Sequence, residues 1–281
     1  MGGEDQTSVP ALRSSVGVGP SADAWKRTRS VKSVGQLDWN LVQDIALTLA
    51  LHLALVLLGV LMIRLRGGTV KSRPLFLGFG LIALYWAASI GGLSLQSALF
   101  PELRWNWLGK VFTIASAFAF LAILAKIDRH EVGLVWHQRR GSLLPALLMV
   151  GVICAVSWGQ AIFDGEASNL SPERVLFEAI MPGLDEELVF RGVLLTLFVQ
   201  AFGEGRPIFK GRFGISELAI TLLFGAAHGL HVSHCIPALD AESFIVTGAI
   251  GGALMWIRQR TGSLVLPTLA HNLSNFGECF F

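Results

Sequence analysis

Charge is scarce in this 281-residue chain: 15% of its residues are Asp, Glu, Lys or Arg, against roughly 25% in soluble domains, while 53% are hydrophobic. That excludes an ordinary soluble domain, whose buried helices are interrupted by polar faces. The basic residues are spread over the loops between apolar runs and form no stripe, which excludes a nucleic-acid surface. Cysteine is nearly missing. Cys154, Cys235 and Cys279 are far apart without C-x-x-C spacing, so they read as small membrane-core residues rather than a disulfide framework or zinc ribbon. The first 39 residues contain no apolar h-region, so no cleavable signal peptide is expected. Gln6 breaks the myristoylation pattern, and Cys279 stands third rather than fourth from the end, so neither lipidation signal is met. No internal repeat suggests the inverted halves of a transporter.

What is present in quantity is apolar sequence. A spanning helix needs about 20 residues at 1.5 Å each, and residues 45–63, 75–99, 108–125 and 143–161 supply four such runs, each bounded by turn or charge signals. Four shorter or interrupted segments follow at 172–202, 215–230, 244–257 and 264–280. The chain therefore reads as an all-α, polytopic integral membrane protein of about eight transmembrane helices, in the plasma or inner membrane if the source is bacterial. Residues 1–39 read as a disordered polar tail and 40–281 as the membrane domain. The loops after the odd-numbered segments hold 13 Lys and Arg, the alternate loops three, which places the odd loops in the cytoplasm. The basic tail would then lie on the opposite side.

The interruptions of the second half are ionisable. Ser171-Pro172-Glu173 is a helix start, with serine as cap and proline at the first helical position; a kink is expected at Pro182-Gly183. Asp185-Glu186-Glu187-Leu188-Val189-Phe190-Arg191-Gly192 follows directly. An ionisable group at bilayer depth costs roughly 2.5–3.5 kcal/mol on insertion scales, so such residues normally face a protein interior or a wet cavity. Residues four apart share a helical face. That pairs Glu187 with Arg191, Phe224 with His228, and His271 with Asn275, so three helices can each present a polar edge to one cavity. Glu186, desolvated in an apolar surround, suits a base that later acts as an acid. His228 can share its water or shuttle the proton, and His271 and Asn275 can donate to an oxyanion. Since no serine or cysteine in these segments has a base four residues away, a covalent nucleophile is not preferred.

The pattern E-E-x-x-x-R, then F-x-x-x-H, then H-x-x-x-N, in that order and on successive apolar segments, resembles the CPBP intramembrane proteases, also called the Abi or type 2 CAAX prenyl protease family. The likeness spans about residues 172–281, read as the catalytic core. It implies an eight-helix membrane fold around a water-filled cavity. It also implies a glutamate-dependent endopeptidase in which Glu186 and His228 activate water while His271 and Asn275 stabilise the oxyanion. Glu187, Arg191 and Phe224 take supporting places. The expected partners are the bilayer and a membrane-associated protein or peptide substrate, prenylated or not. No cofactor is expected and no residue is assigned to a metal, although Glu186, His228 and His271 could assemble a zinc site in a metal-dependent membrane protease. Competing with the peptidase are a non-catalytic scaffold or immunity-type binding protein and an ion-coupled transporter. His231 and His234 are read as loop residues, His52 as a polar contact between helices, and Asp185 as a solvated bystander at the kink. Glu178 is read as either lining the cavity or serving a helix contact. The tryptophans Trp86, Trp105, Trp107, Trp136 and Trp158 are read as an interfacial belt.

Overall fold

The computed structural model describes residues 39–123, 127–165 and 170–281. The tail expected over residues 1–39 lies outside the described residues apart from Trp39. The helices are α1 (Trp39–Leu65), α2 (Ser72–Leu99), α3 (Trp107–Ile123), the single turn α4 (Arg129–Val132) and α5 (Leu143–Asp164). Then come α6 (Pro172–Glu186), a π-helix (Glu187–Leu194), α7 (Leu195–Phe202), α8 (Ile215–Gly229), α9 (Ala241–Thr261) and α10 (Val265–Glu278). Two antiparallel hairpins interrupt the helices, β1 (Arg206–Ile208) with β2 (Gly211–Phe213), and β3 (Leu230–Ser233) with β4 (Ile236–Leu239). The fold is thus helical with two small hairpins, where the sequence suggested helices alone.

Among the described residues three helices are long and apolar enough to cross a membrane, over Val42–Leu65, Ser72–Leu99 and Leu143–Phe163. Only 22–28% of their residues are buried within the protein. Leu57, Leu58, Leu61, Leu144 and Leu148 face outward, which is the pattern of helices whose outer faces meet lipid. Helices α3 and α8 are apolar but shorter. The four odd-numbered loops gather at one end. The Lys71 N–H donates to the Ala201 carbonyl, the Arg139 N–H to the Thr261 carbonyl, and the β1–β2 hairpin is tied to Gln259.

Local chemistry explains how α6 is placed. Ser171 caps it, its hydroxyl accepting from the Arg174 N–H at 3.3 Å, with Pro172 in the first turn. Pro182 then removes one helical donor and crowds the carbonyl a turn back. Asn272 of α10 serves the backbone around it: its Oδ1 accepts from the Gly183 N–H at 2.7 Å and its Nδ2 donates to the Ile180 carbonyl at 3.1 Å. A Cβ on residue 183 would fall 2.6 Å from both Asn272 Oδ1 and the Thr268 carbonyl, so the close approach of α10 requires glycine there. A second close approach joins α8 to α9, where a Cβ on Gly225 or Gly229 would stand 2.6 or 2.5 Å from the backbone at Phe244. His228 lies between those glycines. His52 of α1 shares its Nε2–H between the Ala226 and Leu230 carbonyls, both at 3.2 Å, and its ring lies 5.6 Å from that of Trp86. It is therefore the interhelical contact expected, whereas Trp86 lines the interior side of α2.

Asn272→Ala leaves a buried amide N–H and a carbonyl without their partner, so unfolding in detergent should cost about 1–3 kcal/mol less than in the parent chain. A change no larger than that of Leu273→Ala, on the exposed face of α10, would sink this account of the kink.

Candidate active site

The acids of the site begin where α6 changes pitch. Glu186 is the last residue of α6, and Glu187 opens a π-helix, a wider turn that recurs at functional sites. Glu187 still reaches one turn on, its Oε1 accepting from Arg191 Nη1 at 2.8 Å. Arg191 Nη2 donates to the Gly251 carbonyl at 3.1 Å, and its guanidinium lies 3.9 Å from the centre of the Phe224 ring. Phe224 in turn packs against His228, 4.7 Å between ring centres, and against His271, 6.0 Å. The expected supporting residues therefore form one wall behind the acids.

Two histidines present the same atom to Glu186. His228 Nδ1 lies 2.8 Å from the Phe224 carbonyl and His271 Nδ1 lies 2.9 Å from Glu187 Oε1. Both partners only accept, so both Nδ1 atoms carry hydrogen, and in a neutral ring Nε2 is left as an acceptor. Each Nε2 is 3.8 Å from Glu186 Oε2. That is too long for a direct hydrogen bond and short enough for one intervening oxygen to bridge. Glu186 Oε2 has no hydrogen-bond partner among the described residues. The neighbouring glutamates thus address opposite nitrogens of the His271 ring.

The other oxygen of Glu186 is not in an apolar surround, contrary to expectation. Lys110 Nζ donates to Glu186 Oε1 at 2.7 Å and to Asp185 Oδ2 at 2.8 Å. Asp185 also accepts from Thr113 Oγ1 and, at 3.3 Å, from the Tyr85 hydroxyl. It is 0% exposed. Asp185 is therefore no solvated bystander but the second counter-ion of a buried ammonium. The placement of Lys110 follows from the start of α3. Asn106 Oδ1 accepts the Gly109 N–H at 2.9 Å and Gln96 of α2 accepts the Leu108 N–H at 3.0 Å, which turns the first turn of α3 toward α6. The signal was present in the sequence as a lysine inside the apolar run 108–125, with Thr113 on its face.

Asn275 is one turn beyond His271 on α10. Its Nδ2 donates to Glu178 Oε2 at 3.1 Å, which makes Glu178 a buried helix contact and leaves the second amide hydrogen of Asn275 uncommitted to that bond. The structure thus brings Glu186, His228 and His271 together directly. Asn275 joins them through α10 rather than through a contact with Glu186. His231 stands on β3 and His234 at the tip of the β3–β4 hairpin, beyond the end of α8. Among the described residues no group of three His, Cys, Asp or Glu side chains is arranged to hold a metal ion. The physical obstacle at Glu186 is the Lys110 ammonium, whose charge opposes a cation beside the same carboxylate. A zinc site does not fit these residues.

A membrane protein with a buried carboxylate facing two imidazoles is the class the geometry defines. Over residues 170–277 the chain matches the family model described as type II CAAX prenyl endopeptidase, Rce1-like. The resemblance read from the three motifs stands over that stretch, and the match supports a CAAX-type intramembrane endopeptidase in general. No curated protein and no solved structure matches the chain.

Because breaking a buried ion pair costs about 3–5 kcal/mol while exposed substitutions stay within about 0.5 kcal/mol, Asp185→Ala should destabilise the folded protein by the larger amount. Denaturant titration of the purified protein measures it, and a near-neutral result would return Asp185 to the role of bystander.

Proposed function

We propose that the chain is an intramembrane endopeptidase that hydrolyses a peptide bond with a water activated by Glu186 and His228. The observation that carries this reading is the division of labour on Glu186: Lys110 fixes Oε1 while Oε2 is turned toward the two Nε2 atoms. A water on Oε2 reaches His228 Nε2 as well, so its proton has two acceptors as its oxygen attacks the substrate carbonyl carbon. The carbonyl oxygen, now an oxyanion, accepts hydrogen bonds from His271 Nε2–H and the remaining amide N–H of Asn275. Collapse breaks the C–N bond, and the proton held on Glu186 or His228 passes to the leaving nitrogen.

Donation from His271 Nε2 requires hydrogen on both nitrogens of its ring, since Nδ1 is committed to Glu187. Lys110 and Arg191 face Asp185, Glu186 and Glu187, two cations against three carboxylates. Glu187, Arg191 and Phe224 hold His271 and His228 in place, and Lys110 positions the base.

In this reading residues 40–281 form a membrane domain of about eight helices in a multi-pass protein, with the catalytic core at 172–281. The substrate is a membrane-associated protein or peptide cleaved near its C-terminus. Prenylated C-termini are the substrates that the description of the matching family points to.

With the parent chain in proteoliposomes and a prenylated C-terminal peptide as substrate, Glu186→Gln should reduce cleavage by about 10²–10⁴-fold without loss of folded protein. If Glu186→Gln, His228→Ala and His271→Ala all retained parental cleavage of prenylated and unprenylated peptides, the peptidase reading would be abandoned. Lys110→Met should lower kcat while KM is kept, because it frees the base without touching the substrate. Partial rescue by Lys110→Arg is expected, and an effect confined to KM would remove Lys110 from the site.

A further inference from the structure

At the end of the molecule where the basic loops gather, three of them line an open pocket of about 340 Å³. Arg139, Lys210, Arg212 and Arg258 line it together with a single carboxylate, Glu204, which is already paired with Arg212. A topological excess of basic residues accounts for exposed cations in these loops. It does not account for Arg258, which is 6% exposed and has its Nε buried without a hydrogen-bond partner among the described residues. Its Nη2 is spent on the Glu131 carbonyl at 2.6 Å, and a Cβ on Gly133 would fall 2.5 Å from its Cζ, so the guanidinium is held against the α4 turn beside the pocket that Arg258 helps to line. Arg139 is likewise anchored, its Nη1 donating to the Gln259 carbonyl at 2.8 Å. Two fixed guanidiniums and an exposed ammonium around one cavity, with the lining carboxylate already taken by Arg212, form a site for an anion of several oxygens.

The surroundings select which anion. The β1–β2 hairpin is pinned over the cavity, Trp256 Nε1 donating to the Phe209 carbonyl at 3.2 Å and the Arg212 N–H donating to Gln259. Its tip carries Phe209, 86% exposed, beside exposed Ile208. Both tip residues, Phe209 and Lys210, have positive φ, 49° and 61°, a conformation for which Asn-Gly is the usual choice. Phenylalanine and lysine there give an apolar point and a cation side by side, the pairing that suits the boundary between acyl chains and headgroups. We infer that this pocket binds the phosphate of an anionic lipid headgroup, with Phe209 and Ile208 against the first carbons of its acyl chains.

The site is independent of the peptidase chemistry, so its test reads binding. The purified full chain is titrated with phosphatidylglycerol in zwitterionic detergent and the bound lipid is counted by native mass spectrometry, with thermal unfolding followed in parallel. Inorganic phosphate alone and phosphatidylcholine form the other arms. A saturable phosphatidylglycerol adduct that raises the unfolding midpoint, and weakens at least tenfold in Arg139→Gln/Lys210→Gln, is the expected result. Both substituted residues are exposed, and the unfolding midpoint of the lipid-free variant against the parent reads the lost Arg139–Gln259 bond separately from binding. Equal stabilisation by inorganic phosphate would replace the lipid by a free anion. Adducts of the same strength in the variant, or with phosphatidylcholine, would overturn the site.

Discussion

Lys110 is the interaction on which the rest of the centre depends. A single ammonium at the start of α3 bridges Asp185 and Glu186, and without it two adjacent carboxylates would share a volume that water barely enters. By occupying one oxygen of Glu186 it also decides the direction of the other. The second cation, Arg191, does the same for Glu187, and His271 is held between the two glutamates by its two nitrogens. Every strong charge of the centre therefore has a partner fixed in place by the fold, so the cluster both requires and enforces the packing of α3, α6, α8 and α10.

The helices are shaped to permit that packing rather than to be regular. Pro182 and Gly183 let α10 approach α6, and Asn272 satisfies the backbone disturbed there. Gly225 and Gly229 bring α8 against α9, which puts Gly251 within reach of Arg191 and Phe224. The π-helix widens the turn after Glu186, so that consecutive glutamates serve opposite nitrogens of one ring.

Much of this was legible from spacing. Glu187 with Arg191, and Phe224 with His228, are four-residue pairs that the geometry realises as a salt bridge and a ring contact, and the cap at Ser171 and the disturbance at Pro182 follow from residue type. Partners distant in sequence were not legible. Asp185 read as solvated because its neighbours in the chain sit at a kink, while its true partners, Tyr85, Lys110 and Thr113, come from 72 to 100 residues upstream. Lys110 was one of the three basic residues counted in the alternate loops, although it fell inside the apolar run 108–125. The two hairpins escaped because strands of three or four residues leave no periodicity to read.

The position of Lys110 also sets an order in time. It precedes Asp185 by 75 residues, so at roughly 5–20 residues per second of synthesis it leaves the ribosome about 4–15 s before its first counter-ion. During that interval α3 must be held with its ammonium unpaired. Lys110 stands in the fourth position of α3, so its long side chain can reach back past the start of the helix until α6 arrives. Assembly of the centre is therefore a delayed neutralisation, in which the cation is synthesised well before either of the acids that hold it.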